Sequence, residues 1–432
     1  MVSDRWYFHL MKTQLFLGEK RMKLRQGLTV FLLTLLLGFY GCSSKLPETY
    51  RAEESSGGTL KGKVYAIATD GESVLAATAK GIFLKRSGLQ WSDVPVPGFE
   101  RVSLVTSLAL QGEEMFIGTR GEGLYVFDGQ EWEVVNERYG GLPDDYVNCL
   151  TIDDENNGLP GMNVWVGTDK GLAVRRNGRW EVYSPGGEWL TELAGENLAD
   201  SEGYHVSSAF KVGKPGEDKS SFYPPVKAIA TGKNRVVFGS SQSRLAIVDE
   251  GVFATMVFSV PLEIVSLLVD PDAIWCGTDR GLLWGGKAGS AKGKPYPTWH
   301  GSITKRSIIF GSKDSRAFEY TFYRVGMNTA KVVDLVRDND DGLWVAYNSG
   351  RPTRQTVGDE ILDDSGVKDS NSVSGVRRYV SIKSYIAKKK NARYEVYGSS
   401  YGIKGQPLGL ALAGNGIDVW VGTESRLQLL RQ

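Results

Sequence analysis

The chain is poor in the side chains from which most enzymes and metal sites are built. Its 432 residues include 3 histidines and 3 cysteines. His9, His205 and His300 lie too far apart in sequence to form a zinc motif. Cys149 and Cys276 fall in different repeats and read as buried, unpaired thiols rather than a disulfide framework. An excess of either charge is missing too, with 51 Lys and Arg against 50 Asp and Glu, a net +1. No global field therefore favours nucleic acid. Runs of helix-forming residues are scarce, and no nucleophile motif is present. Gly213-Lys-Pro-Gly216 is no phosphate loop and reads as a flexible connection. What is abundant is glycine, 53 residues, with 11 Trp, 19 Tyr and 16 Phe. That balance predicts many short strands joined by tight turns. A closed all-β fold of this length needs no second domain.

The first 60 or so residues differ from the rest. Lys23 and Arg25 precede an apolar stretch from Leu28 to Tyr40, a pattern that marks a secretory signal. It ends in Phe39-Tyr-Gly-Cys-Ser-Ser44, which resembles a bacterial lipobox with Cys42 as the lipidated residue. Residues 1–41 are thus expected to be a signal peptide, with Met22 as the true start. Residues 42–63 are expected to form a lipid-bearing tether, and Ser43 resembles the sorting residue of lipoproteins sent to the outer membrane. Acyl chains would hold the chain at the bilayer, each buried methylene contributing about 0.8 kcal/mol.

Internal repetition is the strongest signal. The clearest unit is Val164-Trp-Val-Gly-Thr168, followed by Asp169-Lys-Gly-Leu172 and then Asn177-Gly-Arg-Trp180. Met115–Thr119, Ile274–Thr278 and Val419–Thr423 repeat it closely. Val74–Thr78, Val236–Ser240 and Leu343–Tyr347 repeat it more loosely, which makes seven copies. Each reads as a four-stranded meander whose second strand is almost continuously apolar, a pattern that implies burial on both faces. A single meander cannot bury both faces, so the repeats must stack, and a closed ring removes most exposed edges. The expected fold is an all-β, seven-bladed β-propeller over residues 64–432. Ile308-Ile-Phe-Gly-Ser312 faintly echoes the motif and keeps eight blades open as the alternative. The last repeat lacks an outer strand, which a segment within residues 46–63 is expected to supply.

Gly140-Gly-Leu-Pro-Asp-Asp-Tyr-Val147, Asp153 and Val164-Trp-Val-Gly-Thr-Asp-Lys-Gly-Leu172 together resemble the two-component regulator propeller repeat. The resemblance spans residues 64–432 and implies seven-bladed propellers that often serve as periplasmic sensing parts of membrane histidine kinases. The sequence departs from that pattern in having no kinase or output segment.

In a propeller, loops between blades and turns between second and third strands share one face. The long segments 184–225 and 348–374, and part of 285–331, are expected to project there, and loops on a rigid scaffold commonly carry binding residues. The short turns of that face contribute Arg120, Glu122, Asp169, Lys170, Asp279, Arg280, Glu424 and Arg426 as a rim of mixed charge. Trp189, Tyr204, His205, Phe222 and Tyr223 add aromatic surface in the first insertion. Plain turn chemistry and loop packing explain the same residues without a ligand. Asp338-Asn-Asp-Asp-Gly342 looks superficially like a calcium loop but lacks the following glutamate and reads as a turn. Lys388, Lys389 and Lys390 with Arg393 read as a solvated loop. The leading expectation is a non-catalytic scaffold, lipid-anchored to the membrane, probing the periplasm from the outer membrane and holding an envelope protein or a glycan-like ligand. No cofactor, metal or nucleic acid is called for. The alternatives are a sensory accessory to a separate kinase, or a lyase or hydrolase using His205 or His300.

Overall fold

The computed structural model describes residues 50–52, 59–153, 163–183, 225–232, 235–241, 243–249, 252–258, 261–271, 273–288, 307–310, 318–324, 330–349, 374–380 and 393–432. The signal segment, Cys42, Trp189, Tyr204, His205, Phe222, Tyr223, His300 and Lys388–Lys390 lie outside them.

The strands form seven antiparallel sheets, five of them meanders of four consecutive strands and two, blades five and seven, with a fifth strand. Blade one runs Val64–Thr69, Ser73–Thr78, Gly81–Arg86 and Ser92–Asp93. Blade three, with the clearest motif, runs Val147–Asp153, Asn163–Thr168, Leu172–Arg176 and Arg179–Tyr183. The first strand of each blade packs beside the first strand of the next, and Pro407–Leu412 of blade seven returns to Val64–Thr69 of blade one, so the ring is closed. These innermost strands wall a central channel. The fold is a seven-bladed β-propeller. The strand containing Ile308 is no eighth blade. Ser307–Phe310 pairs with Phe318–Arg324 as an extra outermost strand of blade five. The described residues of the 285–331 segment up to Arg324 thus belong to blade five rather than to a loop between blades, and Ala330–Arg337 begins blade six.

Each residue of the repeated motif has its own packing role. Asn163–Thr168, Ala273–Thr278 and Val419–Thr423 are buried along their whole length. Trp165, Trp275, Trp344 and Trp420 are at most 3% exposed, wedged between blades. The glycine that follows is a steric requirement. A Cβ on Gly167 would lie 2.5 Å from Cys149 Sγ of its own blade and 2.7 Å from Val226 Cγ1 of the next. Gly118, Gly239, Gly277 and Gly422 are pinned in the same way by Val147, Ile264, Val332 and Val64. The threonine closes the turn: Thr168 Oγ1 donates to the Gly171 carbonyl (3.0 Å) and accepts from the Gly171 amide (3.1 Å).

Blade seven is finished by the other end of the chain. Arg51–Ala52 and Leu60–Lys61 both pair with Arg426–Arg431, in the registers Arg51↔Arg431 and Leu60↔Leu427. Just before this strand, Tyr50 is fully buried. Its ring meets Trp344 edge-on at 4.8 Å and Tyr397 at 5.7 Å, with the Arg378 guanidinium 5.3 Å away. Burial pushes the Tyr50 hydroxyl up to about 12.

Candidate binding face

Each innermost strand carries a β-bulge near its start. Tyr65, Thr106, Asn148, Lys227, Val265, Val333 and Leu408 each fall where the register to the second strand shifts. A bulge re-aims a side chain and strengthens local twist. Here seven of them ring one end of the channel, all half-buried. The ring is not uniform. Tyr65, Thr106, Asn148 and Lys227, from blades one to four, are polar or amphipathic. Val265, Val333 and Leu408, from blades five to seven, are apolar. Tyr65 and Val333 also lean on the cores between blades.

The polar arc is knit across blades. Thr106 Oγ1 donates to the Val147 carbonyl of blade three at 2.7 Å. Lys227 Nζ of blade four reaches Asn148 Oδ1 (2.9 Å) and Asp169 Oδ1 (3.0 Å), and Asn148 Nδ2 donates to the same Asp169 oxygen at 2.8 Å. Burial raises the Asp169 carboxyl, but hydrogen bonds from Asn148 and Lys227 and the charges of Lys227 and Arg120 outweigh it and hold the group below its usual value.

The rim residues read from sequence lie at this end, on turns or strand ends. Arg120, Asp169, Lys170, Arg280 and Glu424 are exposed, and Glu122, Asp279 and Arg426 are half-buried. Several are committed to the scaffold. Glu122 pairs with Arg101, and Lys170 pairs with Glu137 at 3.2 Å, a contact that raises the ammonium pKa. Asp279 Oδ1 accepts the Glu263 amide at 2.7 Å, and its other oxygen is 3.8 Å from Arg280. Arg426 Nε is buried without a hydrogen-bond partner. The structure brings Asp169 together with Asn148 and Lys227, which the motif reading missed. The signal was there: both residues follow the first valine of an innermost strand, the bulge position.

The strand ends Tyr183 and Val226, and Ser349 and Ser374, which flank 184–224 and 350–373 in sequence, lie at this same end. Asp338 is a structural residue. It accepts the Gly342 amide (2.6 Å), Trp344 Nε1 (2.8 Å) and Arg378 Nε (2.8 Å), so the calcium-like sequence is a turn that anchors the blade core. Both thiols are free. Cys276 is buried and Cys149 half-buried, less enclosed than expected, and burial raises both pKa values, that of Cys149 to about 12.

No family model and no curated protein matches the chain. Solved structures do. The extracellular domain of a proposed hybrid two component system from B. thetaiotaomicron matches 90% of this chain with a TM-score of 0.52 and 14% identity. A second such domain from B. thetaiotaomicron matches 89% at 0.47 and 12%. The chain spans only 42% and 40% of those two structures. Virginiamycin B lyase from Staphylococcus aureus matches 89% of this chain and 100% of its own, at 0.49 and 12%. At these identities the likeness is one of fold.

Proposed function

We propose that the protein is a non-catalytic binding propeller of the cell envelope, tethered to the membrane through a lipidated Cys42. Its working surface is the channel end ringed by bulges, where it holds an envelope protein or a glycan-like ligand. The observation that carries this reading is convergence. Seven re-aimed inner-strand residues, a cross-blade polar network and the strand ends that flank both long connections lie at one end of the closed ring. Scaffold-borne loops around a channel mouth suit recognition. The fold likeness to a two-component extracellular domain favours a sensory accessory as the second reading, in which occupancy of the same end is passed to a separate kinase.

Deletion of residues 190–220 tests the reading. In crosslinking capture from envelopes, the deleted chain is expected to lose its partners while its melting transition persists. Unchanged capture would remove the assignment to this face. Cys42→Ala tests the tether: incorporation of labelled palmitate and sedimentation with membranes should both be lost.

A further inference from the structure

Immediately below the bulge ring, the innermost strands carry small residues: Ala66, Ser107, Cys149, Ala228, Ser266 and Gly409. Blade six departs from this with Asp334, opposite Ala346. The carboxylate faces the channel. It accepts the Leu335 amide on Oδ1 (2.8 Å), the Leu410 amide of blade seven on Oδ2 (2.9 Å) and, at 3.3 Å, the Ser266 hydroxyl of blade five. An innermost-strand amide that is turned away from the second strand points into the channel, so a carboxylate taking two of them lies in the channel wall.

We propose that the channel beside Asp334 binds an alkylammonium group, as presented by a lysine side chain or a free aliphatic diamine. Four features select that chemistry. First, the three partners of the carboxylate are neutral, so it has no compensating cation among the described residues. Second, two of those partners occupy Oδ1 and one occupies Oδ2, which leaves Oδ2 able to accept one more donor. Third, Gly409 opens space beside that atom. A Cβ there would meet only Asp334 Oδ2 at 3.7 Å and Ile67 Cδ1 at 4.0 Å. Fourth, the mouth above blades five to seven is apolar, with Val265, Val333 and Leu408, and suits the methylene stem behind an ammonium better than a strongly hydrated polar ligand.

The electrostatics agree. Asp334 as a residue is half-buried, and the protein crowds its carboxyl enough that burial pushes it up to about 6. Among the described residues, no charged group of the surrounding strands forms an ion pair with Asp334. Asp270 pairs with Arg337, Lys331 is exposed, and Tyr347 lies beneath Arg377. An arriving ammonium would favour the ionised form, so its affinity should follow the ionised fraction.

The inference deepens the binding reading of this face and rests on it. The test is calorimetric titration of the full chain with cadaverine, with a lysine-containing tripeptide blocked at both ends, and with the same peptide acetylated on Nζ. The two amines are expected to bind and the acetylated peptide not. Affinity should fall about tenfold from pH 7 to pH 5, as a group titrating near 6 requires. Asp334→Asn should weaken binding at least tenfold and abolish that pH dependence. Gly409→Ala keeps the carboxylate but fills the space beside it, and should weaken binding even if the first variant fails to fold. Binding of the peptide alone assigns the site to a partner's lysine, and binding of both assigns it to amines generally. No saturable binding of either amine, or binding unchanged in Gly409→Ala and in folded Asp334→Asn, would overturn the proposal. Lost partner capture on deleting residues 190–220 with amine binding intact leaves this inference standing; the reverse result leaves the earlier reading standing.

Discussion

Trp165 and Trp344 hold the same position in blades three and six, but only one uses its indole nitrogen. Trp344 Nε1 donates to the buried Asp338 carboxylate, whereas Trp165 Nε1 is buried without a hydrogen-bond partner. Truncation to alanine should cost about 3–5 kcal/mol at either site, because both lose a filled inter-blade core. Phenylalanine separates them. Trp344→Phe should be worse than Trp165→Phe by about 1–2 kcal/mol, since it strips a partner from a buried carboxylate. Urea unfolding of the two variants measures the difference. Asp334 gives a second test at this scale. Burial raises its folded pKa from the ordinary carboxyl value of 3.8 to about 6, so the folded state holds its proton more tightly. Its contribution to stability is therefore fully present below about pH 4 and is lost as pH rises through 6. Wild type should lose about 1–3 kcal/mol relative to Asp334→Asn between pH 4 and pH 7, a range discounted for the partial exposure of the site. Parallel denaturant titrations at the two pH values check it, and a constant difference would show that the carboxyl is not perturbed.

At the scale of strands and blades, the Gly-Thr step is where chemistry and architecture meet. Gly167→Ala places a methyl within 2.7 Å of both Cys149 and Val226. Blades one and six already carry alanine there, Ala77 and Ala346, so the backbone itself accepts a Cβ. The expected cost is about 1–3 kcal/mol of overpacking, partly recovered in the double variant with Cys149→Ala, as thermal melts would show. This pattern also explains what was legible in the sequence. The buried second strands, the blade count and the borrowed outer strand all follow from a local repeat that must be satisfied seven times. The placement of Ser307–Phe310 was not legible, because its faint echo of the motif suggested another blade, whereas it pairs with Phe318–Arg324 at the outer edge of blade five. The bulge ring was missed for a related reason. A bulge is a backbone event, and Lys227 or Asp334 stands out only after the seven innermost strands have been aligned. Tyr50 closes the borrowed strand from outside the repeats. Tyr50→Ala should cost about 3–5 kcal/mol, while Tyr50→Phe should be neutral or stabilising, because the hydroxyl is buried without a hydrogen-bond partner. Equal losses in both variants would mean that the ring does not rest on this packing.

For the whole molecule, the borrowed strand sets a direction. Arg51 pairs with Arg431, whose guanidinium meets Asp418 in the first-to-second-strand turn of blade seven, so Tyr50 enters at the end of the propeller opposite the bulge ring. If Cys42 carries the lipid, the segment from it to Tyr50 can span at most about 28 Å, and a six-residue strand alone is about 20 Å long. The tether attaches at the Tyr50 end, so the membrane is expected on that side, where the tether need not run the length of a blade, with the bulge ring facing away from the bilayer. Lipidated protein on vesicles containing an acceptor-labelled lipid tests this. A donor dye on Gln130→Cys, in an exposed third-to-fourth-strand turn on the Tyr50 side, should transfer energy more efficiently than one on Arg280→Cys at the opposite end. Labelling should be selective, because burial raises the pKa of both Cys149 and Cys276 far above the labelling pH. The reverse order of transfer would put the bulge ring against the membrane and make a partner there a lipid rather than a protein or glycan. Equal transfer from the two sites would mean that the tether does not fix which end faces the bilayer.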